Sequence, residues 1–208
     1  MRLPVILGIG TGRCGTLSLA TLLNAQEGAA VTHERFSYEL KWEATESTRQ
    51  ARVRDIIKSS GEGMIGDVHS AWLPYVEHAL AASQDVKIIC LRRARAAVIQ
   101  SFLDWLDPVE HWTPAKETKS LWSDCFPTYP DLHDRREALS RYWDAYYVRV
   151  SQLMRHYPRR IRVFNTQDLN APPGIERILS FAGVPVERQR IAVFHEHKGP
   201  GHESRIEA

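Results

Sequence analysis

Short apolar runs alternate with amphipathic segments along most of the chain. The apolar runs are bounded by glycine, proline or polar residues, which is typical of strands buried on both faces of a parallel sheet. The intervening segments carry apolar residues three or four positions apart, which predicts helices packed against that sheet. The predicted strands cover residues 5–9, 29–32, 63–67, 86–91 and 161–164. We therefore expect a single α/β domain over residues 1–208, built on a parallel sheet of about five strands flanked by helices.

Between the strands, helices and one irregular segment are predicted. Residues 135–156 should form a long amphipathic helix, and residues 45–60 a more polar one. Pro74 is expected in the first turn of a further helix, where its missing N–H costs nothing. Residues 107–134 contain four prolines and little periodicity. So long an irregular segment is a candidate lid on the acceptor side, although its aromatic residues could equally pack as a satellite core.

Polar residues suited to chemistry follow several of the predicted strands. Residues 10–16, 33–34, 67–69 and 92–93 each lie just past the carboxyl end of a strand. In open parallel sheets, ligands bind beyond these ends. The sequence therefore predicts that its candidate functional residues meet at one edge of the sheet.

The first of these segments is rich in glycine. Gly10, Gly12 and Gly15 surround a cation, Arg13, and an apolar-periodic helix begins directly afterwards. Glycines let consecutive backbone N–H groups converge on an anion, and the first N–H groups of a helix have no partner inside it. A phosphate would supply that partner, and the guanidinium can add a bidentate contact.

This loop departs from the common nucleotide-binding pattern G-x-x-x-x-G-K-[ST]. Counted from Gly10, the second glycine falls correctly at Gly15. Thr16, however, occupies the lysine position, and Leu17 occupies the position of the magnesium-binding hydroxyl. The combination argues against an ordinary ATPase or kinase and favours a phosphate loop that works without a metal.

A second cationic segment ends the strongest predicted strand. Arg92 and Arg93 precede a helix, and Ser101 follows Arg93 by eight residues. Two turns of helix bring that hydroxyl back towards an anion held at the helix start. A rival alignment begins at Arg92, but it leaves Gln100 where the serine belongs.

Together the two segments resemble the phosphate motifs of sulfotransferases, which take a sulfuryl group from adenosine 3′-phosphate 5′-phosphosulfate (PAPS). In the 5′-phosphosulfate motif, [PG]-[KR]-[SA]-G-T-[ST], Arg13 replaces the lysine, and Gly15 and Thr16 match directly. Cys14 stands for the small residue, and Leu17 for a hydroxyl residue. The resemblance implies that the loop residues bind the 5′-phosphosulfate, and these are Gly12, Arg13, Cys14, Gly15, Thr16 and Leu17.

The 3′-phosphate motif of the family, R-[DN]-P-[KR]-x-x-x-x-S, matches Arg93 and Ser101, although its proline is absent. The resemblance implies that these two residues bind the 3′-phosphate, with Arg92 as a neighbour. His197-Lys198-Gly199 resembles a further segment that meets the same phosphate. PAPS is thus the implied donor substrate, adenosine 3′,5′-bisphosphate (PAP) is the implied product, and no metal is expected.

The general base of the family is usually a histidine beyond a strand or, in some branches, a glutamate. His69 lies 24 residues before Arg93, close to the separation in the histidine enzymes, and imidazole titrates near neutral pH. Glu34 follows the second strand, where the glutamate branches place their base. Both are candidate catalytic residues beside Arg13, which would neutralise charge on the departing phosphate. His69 could instead cap the following helix or pack against Trp72, and Glu34 could be a surface carboxylate.

Composition indicates which partners and which cellular compartment to expect. A net charge of +2 and a pI near 8.5 are too weakly basic for a nucleic-acid binder. Cys14, Cys90 and Cys125 form no C-x-x-C pair, which favours free thiols in a reducing compartment. No apolar run approaches the ~20 residues needed to span a bilayer, so a cytoplasmic protein without a membrane anchor is expected.

Two other functions fit parts of this pattern. A kinase of a small metabolite could use Asp67 for magnesium, but it would need a phosphate lysine that the loop lacks. A non-catalytic module that binds PAP would use the same anion sites. The sequence leaves open whether the acceptor is a small molecule, a glycan or a lipid, and it leaves the oligomeric state open as well.

Overall fold

A computed structural model of the chain describes residues 4–36, 38–58, 63–104 and 123–194. In these ranges, five parallel strands form one sheet in the order β2-β3-β1-β4-β5. The strands are β1 (Val5–Ile9), β2 (Ala30–His33), β3 (Ile65–Val68), β4 (Val86–Arg92) and β5 (Ile161–Asn165). The expected α/β class, with a parallel sheet of about five strands flanked by helices, is confirmed.

Six α-helices flank the sheet in the described part of the chain. They are α1 (Thr16–Asn24), α2 (Glu46–Lys58), α3 (Val76–Ala82), α4 (Arg95–Leu103), α5 (Arg135–His156) and α6 (Pro172–Ala182). Short 3-10 helices cover Ser70–Tyr75, Ser123–Cys125, Thr166–Asn170 and Val186–Arg188. Among the helices of these ranges, none combines the length and apolar composition that crossing a bilayer requires.

The sheet is buried on both faces because its strands carry apolar residues at successive positions. Along β1, Val5, Leu7 and Ile9 pack on one face with residues of α3 and α5, whereas Ile6 packs on the other face with residues of α1 and α6. All four side chains are almost completely buried. The loop that follows β1 therefore starts from a strand fixed at the centre of the sheet.

The strand register aligns the carboxyl ends of the strands at one edge. Ile9 lies opposite Cys90, and Val68 lies opposite both Gly8 and His33. The segments that follow these strands leave the sheet at the same edge, as predicted from the sequence. We call this edge the rim.

The structure corrects the expected position of Pro74 and describes only part of the candidate lid. Pro74 lies inside the 3-10 helix Ser70–Tyr75, and α3 begins only at Val76. The 3-10 geometry accommodates a proline that would interrupt an α-helix at this depth. Of the candidate lid, residues 107–122 lie outside the described residues. In its described part, Cys125 and Phe126 are buried in the core.

Candidate active site

The glycine loop, residues 10–16, connects β1 to α1 through left-handed backbone. Gly12 has a φ of 79°, Arg13 of 51° and Gly15 of 91°. Left-handed angles are uncommon for a residue with a side chain, so Arg13 must be held there by its surroundings. Left-handed residues followed by a helix start are a backbone pattern that gathers N–H groups around an anion.

Arg13, Arg93 and Ser101 come from three separate segments and contact one another. The Nε of Arg13 donates to the Oγ of Ser101 at 3.1 Å. The Nη1 of Arg93 donates to the backbone carbonyl of Arg13 at 2.8 Å. Burial and, to a smaller degree, the positive charge of Arg93 lower the pKa of Arg13. Two cations held this close together favour an anion between them.

Arg92, the last residue of β4, has different surroundings. Its guanidinium lies 5.0 Å from the ring centre of Trp143 and 5.3 Å from that of Tyr147, which is a cation–π arrangement. Beside it opens a cleft of about 390 Å³. The side chains that line this cleft come from the ends of β4 and β5, from the start of α4 and from α5, and they include Arg92, Arg93, Arg95, Trp143, Asn165 and Gln167.

Two tyrosines of α5 bind the start of the glycine loop. The hydroxyl of Tyr146 accepts from the N–H of Gly10 at 2.9 Å and donates to the carbonyl of Ser70 at 2.9 Å. The hydroxyl of Tyr142 donates to the carbonyl of Thr11 at 3.1 Å. All of these bonds are buried, so the loop is shaped by a helix more than a hundred residues away.

The other two aromatic residues in the middle of α5, Trp143 and Tyr147, bind the end of β4 and the residue after it. The hydroxyl of Tyr147 donates to the carbonyl of Leu91 at 2.8 Å. The indole Nε1 of Trp143 donates to the carbonyl of Arg93 at 3.2 Å. The sequence predicts an inward apolar face for α5, but helical spacing cannot show that the polar tips of this face hold both predicted phosphate segments.

Cys14 is a packing residue of the loop. It is completely buried, and burial raises the pKa of its thiol to about 12, which keeps it neutral. A Cβ on Gly10 would lie 2.5 Å from its Sγ, so Gly10 must be glycine for the thiol to fit. The carbonyl of Cys14 accepts from the hydroxyl of Thr166 at 2.7 Å. This link to the segment after β5 has no signal in the sequence.

Thr16 and Glu34 approach the same imidazole. The Nε2 of His33 lies 3.2 Å from the Oγ1 of Thr16 and 3.7 Å from the Oε1 of Glu34. Leu17, the next loop residue, is half-buried. One histidine therefore connects the loop hydroxyl with a candidate base.

Glu34 stands at the carboxyl end of β2 with a left-handed φ of 55°. Its backbone N–H donates to the carbonyl of Val68 at 3.1 Å, and its side chain is 32% exposed. Burial of the carboxyl and, to a smaller degree, the negative charge of Asp67 raise the pKa of Glu34 to about 7. The side chain is thus accessible and titrates in the range useful for a general base.

His69 lies deeper than Glu34 and is only 1% exposed. Its Nδ1 accepts from the N–H of Ala71 at 2.9 Å, which makes it the cap of the 3-10 helix that follows. In a neutral imidazole with Nδ1 as acceptor, the proton sits on Nε2. The capping role that the sequence offered as an alternative is the one observed.

The predicted residues therefore fall into three places. The first place holds Arg13, Arg93 and Ser101, and the second holds Thr16 and Glu34, which His33 connects. The third is the buried position of His69, while His197-Lys198-Gly199 lies outside the described residues. Across the described ranges, no group of three His, Cys, Asp or Glu side chains is arranged to hold a metal ion.

The fold defines an open parallel α/β sheet, a class in which ligands generally bind beyond the carboxyl ends of the strands. Residues 5–191 match a family model described as a sulfotransferase domain, and the chain belongs to that family. The crystal structure of a sulfotransferase from Alicyclobacillus acidocaldarius is similar, with a TM-score of 0.58, 15% identity, and coverage of 94% of this chain and 87% of that one. At this identity the likeness concerns the fold. Among curated proteins, none matches the chain in sequence.

Proposed function

We propose that this protein transfers a sulfuryl group from PAPS to a hydroxyl or amine acceptor without a metal ion. The observation that carries the proposal is the contact among Arg13, Arg93 and Ser101, which joins the two predicted phosphate segments at one rim. Membership of the sulfotransferase family supports the same chemistry.

The donor bears anionic groups on two positions of its ribose, and the protein offers a cationic segment for each. We assign the 5′-phosphosulfate to the glycine loop and Arg13, and the 3′-phosphate to Arg93 and Ser101. The Ser101 hydroxyl accepts from Arg13 and keeps its own proton for a phosphate oxygen. The neighbouring cleft of about 390 Å³, with Trp143 in its wall, is within the size range of small-ligand sites and suits the adenosine.

Sulfuryl transfer resembles phosphoryl transfer in its loose transition state, so catalysis depends on positioning and charge stabilisation. The acceptor atom forms a bond to sulfur while the bond between sulfur and the bridging phosphate oxygen breaks, and PAP departs with the bonding electrons. Arg13 and the loop N–H groups stabilise the charge that grows on that oxygen.

The acceptor's proton goes to Glu34 in this mechanism. A carboxylate with a pKa of about 7 is a stronger base than an ordinary glutamate and is still substantially ionised at neutral pH. His69 is the second candidate, but its buried ring already uses the Nδ1 lone pair to cap a helix. A base must reach the acceptor, and Glu34 is the more exposed of the two.

Donor recognition is tested by thermal shift with three ligands: PAP, adenosine 5′-phosphate and ATP with magnesium. We expect the largest stabilisation with PAP, because only PAP fills both phosphate positions. Ser101→Ala should reduce the stabilisation by PAP more than that by adenosine 5′-phosphate, because the Ser101 hydroxyl both meets the 3′-phosphate and holds the Nε of Arg13. Equal stabilisation by PAP and adenosine 5′-phosphate would contradict the donor assignment.

Transfer itself is tested with ³⁵S-labelled PAPS and mixed phenol, saccharide and lipid acceptors. Glu34→Gln should lower transfer at least 100-fold while PAP affinity stays within about twofold. His69→Gln is the matched comparison for the second candidate. PAP binding without transfer to any acceptor would favour a non-catalytic module, and magnesium-dependent ATP turnover would favour a kinase.

A further inference from the structure

Asp67 lies beside Glu34 although the donor site does not use it. It is completely buried on β3, opposite Thr32 of β2. Its Oδ1 accepts from the Thr32 hydroxyl at 2.7 Å and from the backbone N–H of Arg35 at 3.0 Å, and its Oδ2 accepts from the indole N–H of Trp72 at 2.8 Å. Three donors on one carboxyl suit the ionised form, which can only accept.

These hydrogen bonds bracket Glu34 along the chain. Thr32 comes two residues before it, and Arg35 comes directly after it. Between them, the backbone of Glu34 takes its left-handed φ of 55°, a conformation that is unfavourable for a residue with a side chain. The bond from the Arg35 N–H to Asp67 is therefore a contact that holds this turn closed.

We propose that Asp67 is a positioning residue for Glu34: its buried carboxylate fixes the turn that presents Glu34 at the rim and sets a second negative charge behind it. The proposal rests on the function proposed above, in which Glu34 takes the acceptor's proton. Asp67 touches neither donor nor acceptor in this scheme and acts only through Glu34.

The charge behind Glu34 has a chemical consequence. After burial itself, Asp67 is the second cause that makes Glu34 harder to ionise. Three described neighbours of Glu34 act differently. His33 lies at 3.7 Å, Cys125 is a neutral thiol whose pKa burial raises to about 12, and the guanidinium of Arg35 lies over a neighbouring ring. Removing the charge of Asp67 should therefore make Glu34 a weaker base.

The experiment is an NMR titration of the side-chain carboxyl of Glu34 in glutamate-labelled full-length protein, with Glu34→Gln used to assign the signal. Asp67→Asn alone would set an amide N–H against either the indole N–H of Trp72 or the N–H of Arg35, and it risks unfolding. Trp72→Phe removes one of these donors. The test variant is therefore Asp67→Asn combined with Trp72→Phe, and Trp72→Phe alone is its matched control.

We expect Glu34 to titrate near pH 7 in the wild type and in Trp72→Phe, and roughly one unit lower in the double variant. Equal midpoints in the double variant and its control would overturn the proposal. Hydrogen exchange on the unmodified protein tests the bond from the Arg35 N–H to Asp67. The Arg35 amide should exchange with solvent at least about 100-fold more slowly than in an unstructured peptide. Exchange at the peptide rate would also overturn the proposal.

The titration needs neither donor nor acceptor, so it separates this proposal from the proposed function. If the midpoint moves as expected but Glu34→Gln transfers sulfuryl groups as fast as the wild type, Glu34 is not the base and the mechanism fails. If Glu34→Gln abolishes transfer but the midpoint does not move, the mechanism stands and the role of Asp67 fails.

Discussion

The guanidinium of Arg93 donates to the backbone carbonyl of Arg13 at 2.8 Å. Arg93 therefore supports the loop that carries Arg13. Arg13 has a left-handed φ, which needs support from outside the loop, and Arg93 provides part of it. A change at Arg93 should consequently affect both anion positions.

Replacing Arg93 by lysine tests this double role. Lysine keeps the charge but loses the planar fork, so PAP affinity should fall about 10–100-fold. Adenosine 5′-phosphate should also bind more weakly, because the loop is less well held. Isothermal titration calorimetry with both nucleotides gives the two values.

The matched control for this change is Arg149→Lys on α5, where the arginine forms an exposed ion pair with Glu77. We expect PAP to bind the control like the wild type. If Arg93→Lys binds both nucleotides within twofold of the wild type, Arg93 has neither of the two roles.

Gly15→Ala should destabilise the protein and impair the loop. Gly15 has a φ of 91°, and an added Cβ would lie 3.2 Å from the Cγ2 of Thr166 and 3.3 Å from the Cδ1 of Leu169. Strain and crowding together should lower the free energy of unfolding by roughly 2–3 kcal/mol, measured by urea denaturation. Stabilisation by PAP should fall as well.

Gly28→Ala separates these two causes. Gly28 also has a left-handed φ, of 68°, but its added Cβ would meet only the Cα of Gly63 at 4.0 Å. We expect a loss of about 1 kcal/mol from backbone strain alone. Equal losses at both glycines would show that crowding against the segment after β5 is unimportant.

Tyr146→Phe should be more damaging than Tyr147→Phe. The Tyr146 hydroxyl bridges two buried backbone groups, the N–H of Gly10 and the carbonyl of Ser70, and Tyr146 is 1% exposed. The Tyr147 hydroxyl donates to the carbonyl of Leu91 and also interacts with Thr11, but Tyr147 is 6% exposed. Each buried group left unsatisfied costs about 1–3 kcal/mol. We expect a fall in Tm of roughly 4–8 °C for Tyr146→Phe and a smaller fall for Tyr147→Phe, by calorimetry. The reverse order would contradict the bridging role.

Glu34→Gln should change how stability depends on pH. The pKa of Glu34 is raised from 4.5 to about 7 in the folded protein, so the folded state holds this proton more tightly than the unfolded state. This tighter proton binding stabilises the folded state fully below pH 4.5, and the stabilisation is lost as the pH rises through about 7. Glutamine cannot ionise and avoids the loss.

The Tm of Glu34→Gln relative to the wild type should therefore be higher at pH 8 than at pH 5. We expect a difference of about 2–4 °C, equivalent to roughly 1 kcal/mol. Glu187→Gln lies in the exposed 3-10 helix Val186–Arg188 and controls for general effects of pH. A constant difference across this range would mean that Glu34 ionises as easily in the folded protein as in the unfolded chain.

The sheet and the two cationic segments could be predicted because each is encoded locally. The apolar run of β1, the left-handed glycines and the spacing from Arg93 to Ser101 can all be read from neighbouring positions in the chain. The parallel topology gathers strand ends at one edge, so the meeting of the glycine loop with the segment after β4 could be predicted, whereas the contact of Arg13 with Ser101 could not.

The supports of the site could not be predicted in the same way. Whether a tyrosine hydroxyl reaches a backbone group 136 residues away depends on how α5 packs, and helical spacing shows only which face is apolar. The position of Asp67 behind Glu34 depends on the register between β2 and β3, which pairs Thr32 with Asp67. His69 is an example. The sequence left open whether it is a general base or a helix cap, and the hydrogen bond that its Nδ1 accepts shows that it caps the 3-10 helix.

The bond between Gly10 and Tyr146 joins the first strand to a helix that is synthesised late. A nascent chain that has emerged only as far as Arg93 would contain the whole glycine loop and Arg93, but not the hydroxyls of Tyr142 and Tyr146 that bind the loop. We expect such a ribosome-bound chain not to bind PAP. Affinity for PAP should arise abruptly once α5 leaves the exit tunnel.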